Sequence, residues 1–163
     1  MKILFIGDVV GEPGRNAIAG LLPKLVASQN LDFVIANAEN AAGGSSISAK
    51  VAEGLFKSGC DVLTSGDHIF RRQEALEIID TEPRLLRPAN LARGIPGRGF
   101  GIYQKNDTSI AVINLQGRVF MPPTECPFRA AADILQELKE KYPQVNPVRS
   151  KSPEAIAVPE VAT

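Results

Sequence analysis

Lys2-Ile3-Leu4-Phe5-Ile6-Gly7-Asp8-Val9-Val10-Gly11-Glu12-Pro13-Gly14-Arg15 is the stretch that decides the fold. Residues 3–6 form a short, wholly apolar run, as expected of a parallel strand buried on both faces. Three glycines and a proline in residues 7–14 break it. Ile18, Leu21, Leu22 and Leu25 then recur at i, i+3, i+4, i+7, the spacing of one face of a helix. Pro23 lies inside that pattern and predicts a kink or a break. Strand, glycine-rich turn and helix therefore follow one another within the first 25 residues.

The same pattern returns downstream. Phe33-Val34-Ile35-Ala36 reads as a second strand, followed by the loop Gly43-Gly44-Ser45-Ser46. Ser48 reads as the N-cap of a helix through Val51, Leu55 and Phe56 that stops at Gly59. Val62-Leu63-Thr64-Ser65 reads as a third strand, residues 73–79 as a short helix, and Leu85-Leu86-Arg87 as a fourth strand ended by Pro88. The rhythm then changes. Residues 94–101 hold four glycines and a proline and read as a flexible loop. Ile102-Tyr103, the turn Lys105-Asn106-Asp107 and the apolar run at 110–115 read as a β-hairpin. Helical periodicity resumes over 128–142. Alternating strands and helices imply an α/β layered domain with a largely parallel sheet.

Residues 143–163 do not share these periods. Pro143, Pro147, Pro153 and Pro159 recur among small and charged residues, the composition of a disordered tail. The expected division is a folded part at 1–142 and a Pro-rich tail at 143–163.

Composition narrows the function. The 163 residues carry 18 Lys+Arg against 18 Asp+Glu, so no basic stripe marks a general nucleic-acid binder or a membrane-surface protein. No apolar run approaches the 18 or so residues of a membrane span, and the N-terminus does not read as a signal peptide. Two cysteines, Cys60 and Cys126, make no disulfide framework; they read as buried structural thiols in a cytoplasmic protein. There is a single histidine, His68.

In open α/β sheets ligands bind beyond the carboxyl ends of the strands. The residues following the first three strands are Gly7-Asp8, then Glu39-Asn40, then Gly66-Asp67-His68. Each has a plain structural explanation: a turn residue, a loop pair, a cap at the start of a helix. Their coincidence at three successive strand ends favours a site. Carboxylate and amide oxygens with an imidazole suit a hard or borderline divalent cation such as Mn, Fe(II), Mg or Zn. Gly7, Gly11 and Gly14 are spaced G-x-x-x-G-x-x-G, which is neither the dinucleotide fingerprint nor a P-loop. Arg15 is either an anion contact at the start of the first helix or a solvated surface residue.

The blocks Ile6-Gly7-Asp8-Val9-Val10-Gly11, Ala38-Glu39-Asn40-Ala41-Ala42, Gly66-Asp67-His68, Leu86-Arg87-Pro88-Ala89-Asn90 and Val112-Ile113-Asn114-Leu115-Gln116-Gly117-Arg118 resemble the calcineurin-like metallophosphoesterases, most closely their YmdB-like bacterial branch. The resemblance runs to about residue 138. It implies a phosphodiesterase acting on cyclic-nucleotide or RNA-type phosphodiesters with two divalent metal ions. Asp8 and Asn40 would hold one metal, Glu39 would bridge, Asp67 would hold the second, and His68 would protonate the leaving alkoxide. Two departures accompany it. Asp67 stands where the family has asparagine, and the family's C-terminal histidine ligands have no counterpart here. The resemblance thus implies the front part of a larger domain, with fewer than two metals and impaired catalysis. The alternative is an inactive remnant or binding module with a partial metal site. An unfinished sheet also leaves room for a homo-oligomer.

Overall fold

A computed structural model of the chain describes residues 1–143. The expected tail at 143–163 lies, but for its first residue, outside the described residues. Four strands, β1 (Ile3–Ile6), β2 (Phe33–Asn37), β3 (Val62–Thr64) and β4 (Leu85–Leu86), form one parallel sheet in the order β1-β2-β3-β4. Ile3 pairs with Phe33, Ile35 with Val62 and Leu63 with Leu85. The helices α1 (Gly11–Gln29), α2 (Ala49–Lys57) and α3 (Glu74–Ile79) fill the connections.

Alternation along the strands sorts the core into two layers. Val34, Ala36, Leu63 and Leu85 pack with Ile18 and Leu22 of α1, Leu55 of α2 and Ile79 of α3. Phe33, Val62 and Leu86 face the other way, against Val112 of an antiparallel hairpin. That hairpin is β5 (Phe100–Lys105) with β6 (Thr108–Ile113), as the turn Lys105-Asn106-Asp107 predicts. The helix α4 (Pro127–Lys141) closes the described chain and buries Ile134 and Leu138. No helix among the described residues is long and apolar enough to cross a membrane.

Several expectations need correction. β1 is not buried on both faces: Ile3 is 49% and Phe5 59% exposed. It is the outer strand, and the apolar cluster under the hairpin reaches Phe33 and Ile35 but not their β1 neighbours. Helix α1 runs on through Pro23 without a break. Its buried ridge is Ile18, Leu22 and, in part, Val26, whereas Leu21 and Leu25 are exposed. The 94–101 loop, expected to be free, carries specific hydrogen bonds to β4 and the end of α3. Arg87 donates from its backbone N–H to the Arg98 carbonyl (2.9 Å) and from its guanidinium to the carbonyls of Pro96 and Ile95. Asp80 accepts the Gly97 N–H at 2.6 Å. Ser48 caps α2 through Val51 N–H, and Gly59 stops the chain's helical course with a φ of +114°, as expected.

Candidate active site

The three strand-end motifs do converge. Backbone hydrogen bonds stitch the chain just past the strands: Val9 N–H to the Asn37 carbonyl and Ala38 N–H to the Thr64 carbonyl, both 2.9 Å. The turn after β1 is latched to the turn after β2 by Gly11 N–H, which donates to the Asn40 carbonyl at 2.9 Å. The Asn40 carbonyl also accepts from Gly44 N–H at 3.0 Å, fixing the loop that follows. Arg15 is half-buried and donates to the Ala41 carbonyl, so it holds this same loop.

Within this frame Asn40 joins two of the expected residues. Its Nδ2 donates to Asp8 Oδ1 at 2.7 Å, and its Oδ1 lies 2.5 Å from His68 Nδ1. His68 Nε2 faces Asp67 Oδ2 at 3.5 Å, and Arg71 reaches the same oxygen at 3.3 Å. Glu39 accepts the backbone N–H of His68 at 3.0 Å and is itself contacted by the Asn37 side chain. Asp8 is exposed, while Glu39, Asn40, Asp67 and His68 are half-buried. Gly66 allows this arrangement: a Cβ there would lie 2.6 Å from both Glu39 carboxylate oxygens. All five residues expected from the sequence therefore share one neighbourhood.

The donor set suits a hard or borderline divalent cation in kind, being oxygen-rich with one imidazole. It falls short in number. Among the described residues no three His, Cys, Asp or Glu side chains gather into a group that could hold a metal ion. Asn40 as placed turns its amide nitrogen, not its oxygen, toward Asp8. A half-turn of the terminal amide would exchange them, setting two oxygens at the present 2.7 Å, a separation that calls for a proton or a cation between them.

A second set of residues at this edge escaped the site reading. Asn114 donates to the carbonyls of Ser65 (2.7 Å) and Leu86 (3.0 Å), the residues at the ends of β3 and β4. Asn90, fully buried, donates to the carbonyls of Gln116 and Glu125 and accepts from Gln116 N–H. Their blocks were legible as motifs, and the rule that inspects residues after each strand would have reached Asn90 past β4 and Gln116 past β6. Elsewhere, Cys60 is buried as expected, and burial pushes its thiol up to about 12. Cys126 is not a buried thiol. It is partly exposed at the start of α4, where the N–H groups of Arg129 and Phe128 hold it below the ordinary thiol range.

The class so defined is a parallel α/β protein with a polar site of three carboxylates, an amide and an imidazole at the carboxyl edge of its sheet. Residues 4–149 match the YmdB-like protein family, and the chain belongs to it. It is 43% identical over 145 residues to the 2',3'-cyclic-nucleotide 2'-phosphodiesterase of Bacillus subtilis (strain 168), covering 89% of this chain and 55% of that protein. The fold is similar to a crystal structure of a hypothetical protein from Thermus thermophilus, with TM-score 0.79 and 36% identity over 84% of this chain and 53% of that one. It is also similar to a phosphatase structure from Mycoplasma pneumoniae, with TM-score 0.74 and 33% identity over 87% and 51% of the two chains. The chain spans about half the length of the relatives it matches.

Proposed function

We propose that this chain is the site-bearing N-terminal part, residues 1–142, of a metal-dependent phosphodiesterase acting on cyclic-nucleotide or RNA-type phosphodiesters. The observation that carries the reading is the Asp8–Asn40–His68 chain of side-chain contacts, with Glu39 on the His68 backbone. It occurs in a sequence 43% identical to a cyclic-nucleotide phosphodiesterase. Asp8 and Asn40 would hold one divalent cation (Fe, Mn, Zn or Mg), with Glu39 and Asp67 offering donors toward a second. A cation held there supplies Lewis acidity and an acidified water. The chain's own residues do the rest. Asn40 fixes the imidazole through Nδ1, leaving Nε2 as the atom that can hold a proton for a departing alkoxide. Asp67 faces that nitrogen, and Arg71 balances the Asp67 charge.

A cytoplasmic location fits two cysteines that form no disulfide. Among the described residues no strand pairs with the outer edge of β1, and Ile3 and Phe5 are exposed, which supports self-association.

The test is hydrolysis of 2',3'-cyclic AMP and of bis-(p-nitrophenyl) phosphate with Mn²⁺ by the purified chain. Turnover abolished in His68→Ala is the expected result; turnover unchanged by that substitution refutes the assignment. A second reading, a non-catalytic module with a partial metal site, is favoured by the lack of a three-residue metal cluster among the described residues. Two tightly bound metals per chain would sink it, and well under two with no turnover would establish it.

A further inference from the structure

Arg15 lies one turn into α1, and a helical side chain leans back toward the N-terminus of its own helix. It therefore reaches past the start of α1 to the carboxyl edge of the sheet, where Nη1 donates to the Ala41 carbonyl. Ala41 directly follows Glu39 and Asn40, the pair that meets His68 and Asp8. The turn at 38–41 is fastened along its length. Ala38 N–H donates to the Thr64 carbonyl at 2.9 Å, and Ala41 N–H closes the turn on the Ala38 carbonyl at 3.1 Å. Two side chains hold its main chain: Asn37 Oδ1 accepts the Glu39 N–H at 3.3 Å, and Arg15 takes the Ala41 carbonyl at the far end. Beyond that end the chain passes through Gly43 and Gly44 in left-handed conformation, φ +68° and +87°. Glycines leave the backbone its widest freedom. The Arg15 bond thus stands between the Glu39–Asn40 pair and the loosest part of the loop.

We infer that Arg15 is a positioning residue for the candidate active site: by holding the Ala41 carbonyl it sets the direction in which Glu39 and Asn40 point, and through Asn40 the seat of the His68 imidazole. It acts on the site through these residues and not by contact of its own. The inference rests on the phosphodiesterase reading for the metal and the reaction used in its test. A guanidinium suits this task because it is always charged, planar and stiff at its end, and its hydrogen bond to a carbonyl is charge-assisted. Water in its place would satisfy the carbonyl without fixing it. Ligand side chains must be held to within about 0.5 Å of their working geometry, so a loosened turn is felt at the site before it is felt in the fold.

The experiment compares wild type with Arg15→Met, which keeps an unbranched stem and loses the donors, and with Arg15→Lys, which keeps a charged donor. Mn²⁺ affinity is read by calorimetry, and kcat and KM are read on 2',3'-cyclic AMP. In Arg15→Met the Mn²⁺ affinity should fall about tenfold, the size seen when a group that orients a metal ligand is lost. Its kcat should fall with KM held within about twofold, and Arg15→Lys should recover most of both losses. Mn²⁺ affinity and kcat unchanged in Arg15→Met, whatever its Tm, overturn the inference and leave Arg15 a staple between α1 and the loop. A loss that Arg15→Lys does not reduce overturns it too. If wild type neither binds Mn²⁺ nor turns over substrate, the phosphodiesterase reading fails, and ¹⁵N spectra of the metal-free proteins at one fixed pH decide the inference. Movement of the Asn40 side-chain amide and His68 imidazole resonances in Arg15→Met upholds it; unmoved resonances refute it. Should Arg15→Met not fold, Arg15→Gln, a neutral donor on a shorter stem, is read by the same spectra. If neither folds, Arg15 is a requirement of the fold and the inference falls.

Discussion

Gly66→Ala tests how the site is built, because the perturbation is one methyl group and its neighbour is known. The new Cβ would sit 2.6 Å from Glu39 Oε1 and Oε2 and 2.9 Å from Cδ. Ordinary contact begins near 3.4 Å, so the carboxylate must retreat by about 0.8 Å or more. It can, since it is the free end of a flexible side chain and not backbone. The retreat breaks its 3.0 Å hydrogen bond from the His68 N–H. A charged acceptor contributes about 1.5–3 kcal/mol when buried, and the half-exposed position argues for the lower end. Gly66 has no left-handed backbone, so alanine recovers about 0.4–1 kcal/mol through the unfolded chain. The net is a loss of about 1 kcal/mol, or a fall of roughly 3–4 °C in Tm for a domain of this size. Metal affinity should suffer more than stability. If Glu39 is a ligand, displacing it costs about tenfold or more in Mn²⁺ binding. Thermal unfolding followed by circular dichroism and Mn²⁺ titration by calorimetry measure the two effects on one sample. Unchanged Mn²⁺ affinity would remove Glu39 from the metal site. A fall in stability above about 4 kcal/mol would show that the carboxylate cannot move, and that Gly66 serves the fold.

Other perturbations separate structural from reactive positions. Gly99→Ala places its methyl inside the contact distance of the Ala89 backbone, which cannot swing aside, so its urea midpoint should fall far more than that of Gly66→Ala. Iodoacetamide at pH 7 should label Cys126, whose thiol is held below the ordinary range, and spare buried Cys60, raised to about 12; peptide mass spectrometry distinguishes the two. Equal labelling would contradict the placement of α4. The Arg84 guanidinium holds the Glu82 carboxyl below its ordinary value of 4.5 through hydrogen bonds of 2.9 and 2.7 Å. A carboxyl lowered in the folded state stabilises the protein above pH 4.5 and loses that contribution as pH falls through the folded value. Glu82→Gln should therefore flatten the decline in stability below pH 4.5, and an unaltered acid limb would discount the pair.

What the sequence revealed and what it hid divide along a physical line. Apolar runs bounded by glycine-rich turns located four strands in order, and the residues just beyond three of them proved to be neighbours. In a parallel sheet that convergence is nearly automatic, since every strand delivers its following residue to the same edge. Burial was harder to read. Ile18-Leu22-Val26 and Leu21-Leu25 are both apolar ridges at i, i+4 on one helix, and periodicity cannot say which one meets the sheet. The sheet chose the first, leaving Leu21 47% exposed. The β1 run was apolar enough for a central strand, yet Ile3 and Phe5 face outward because the hairpin covers only the strands beyond it.

The amide cluster past β4 and β6 shows the same limit. Asn90 and Gln116 are 26 residues apart and meet only because the β5–β6 hairpin returns the chain to the end of β4. No local signal encodes that return. It follows that the site built from strand ends, with its carboxylates and imidazole, is fixed by short-range sequence. The Asn90–Gln116 contact beside it depends on the hairpin's docking through Phe33, Val62, Leu86 and Val112. Loosening that docking with Val112→Ala should therefore disturb the Gln116 contact before it disturbs His68. The imidazole resonances would hold their positions while the Gln116 amide signal broadened, and the opposite order would show that the site and the amide cluster are a single rigid unit.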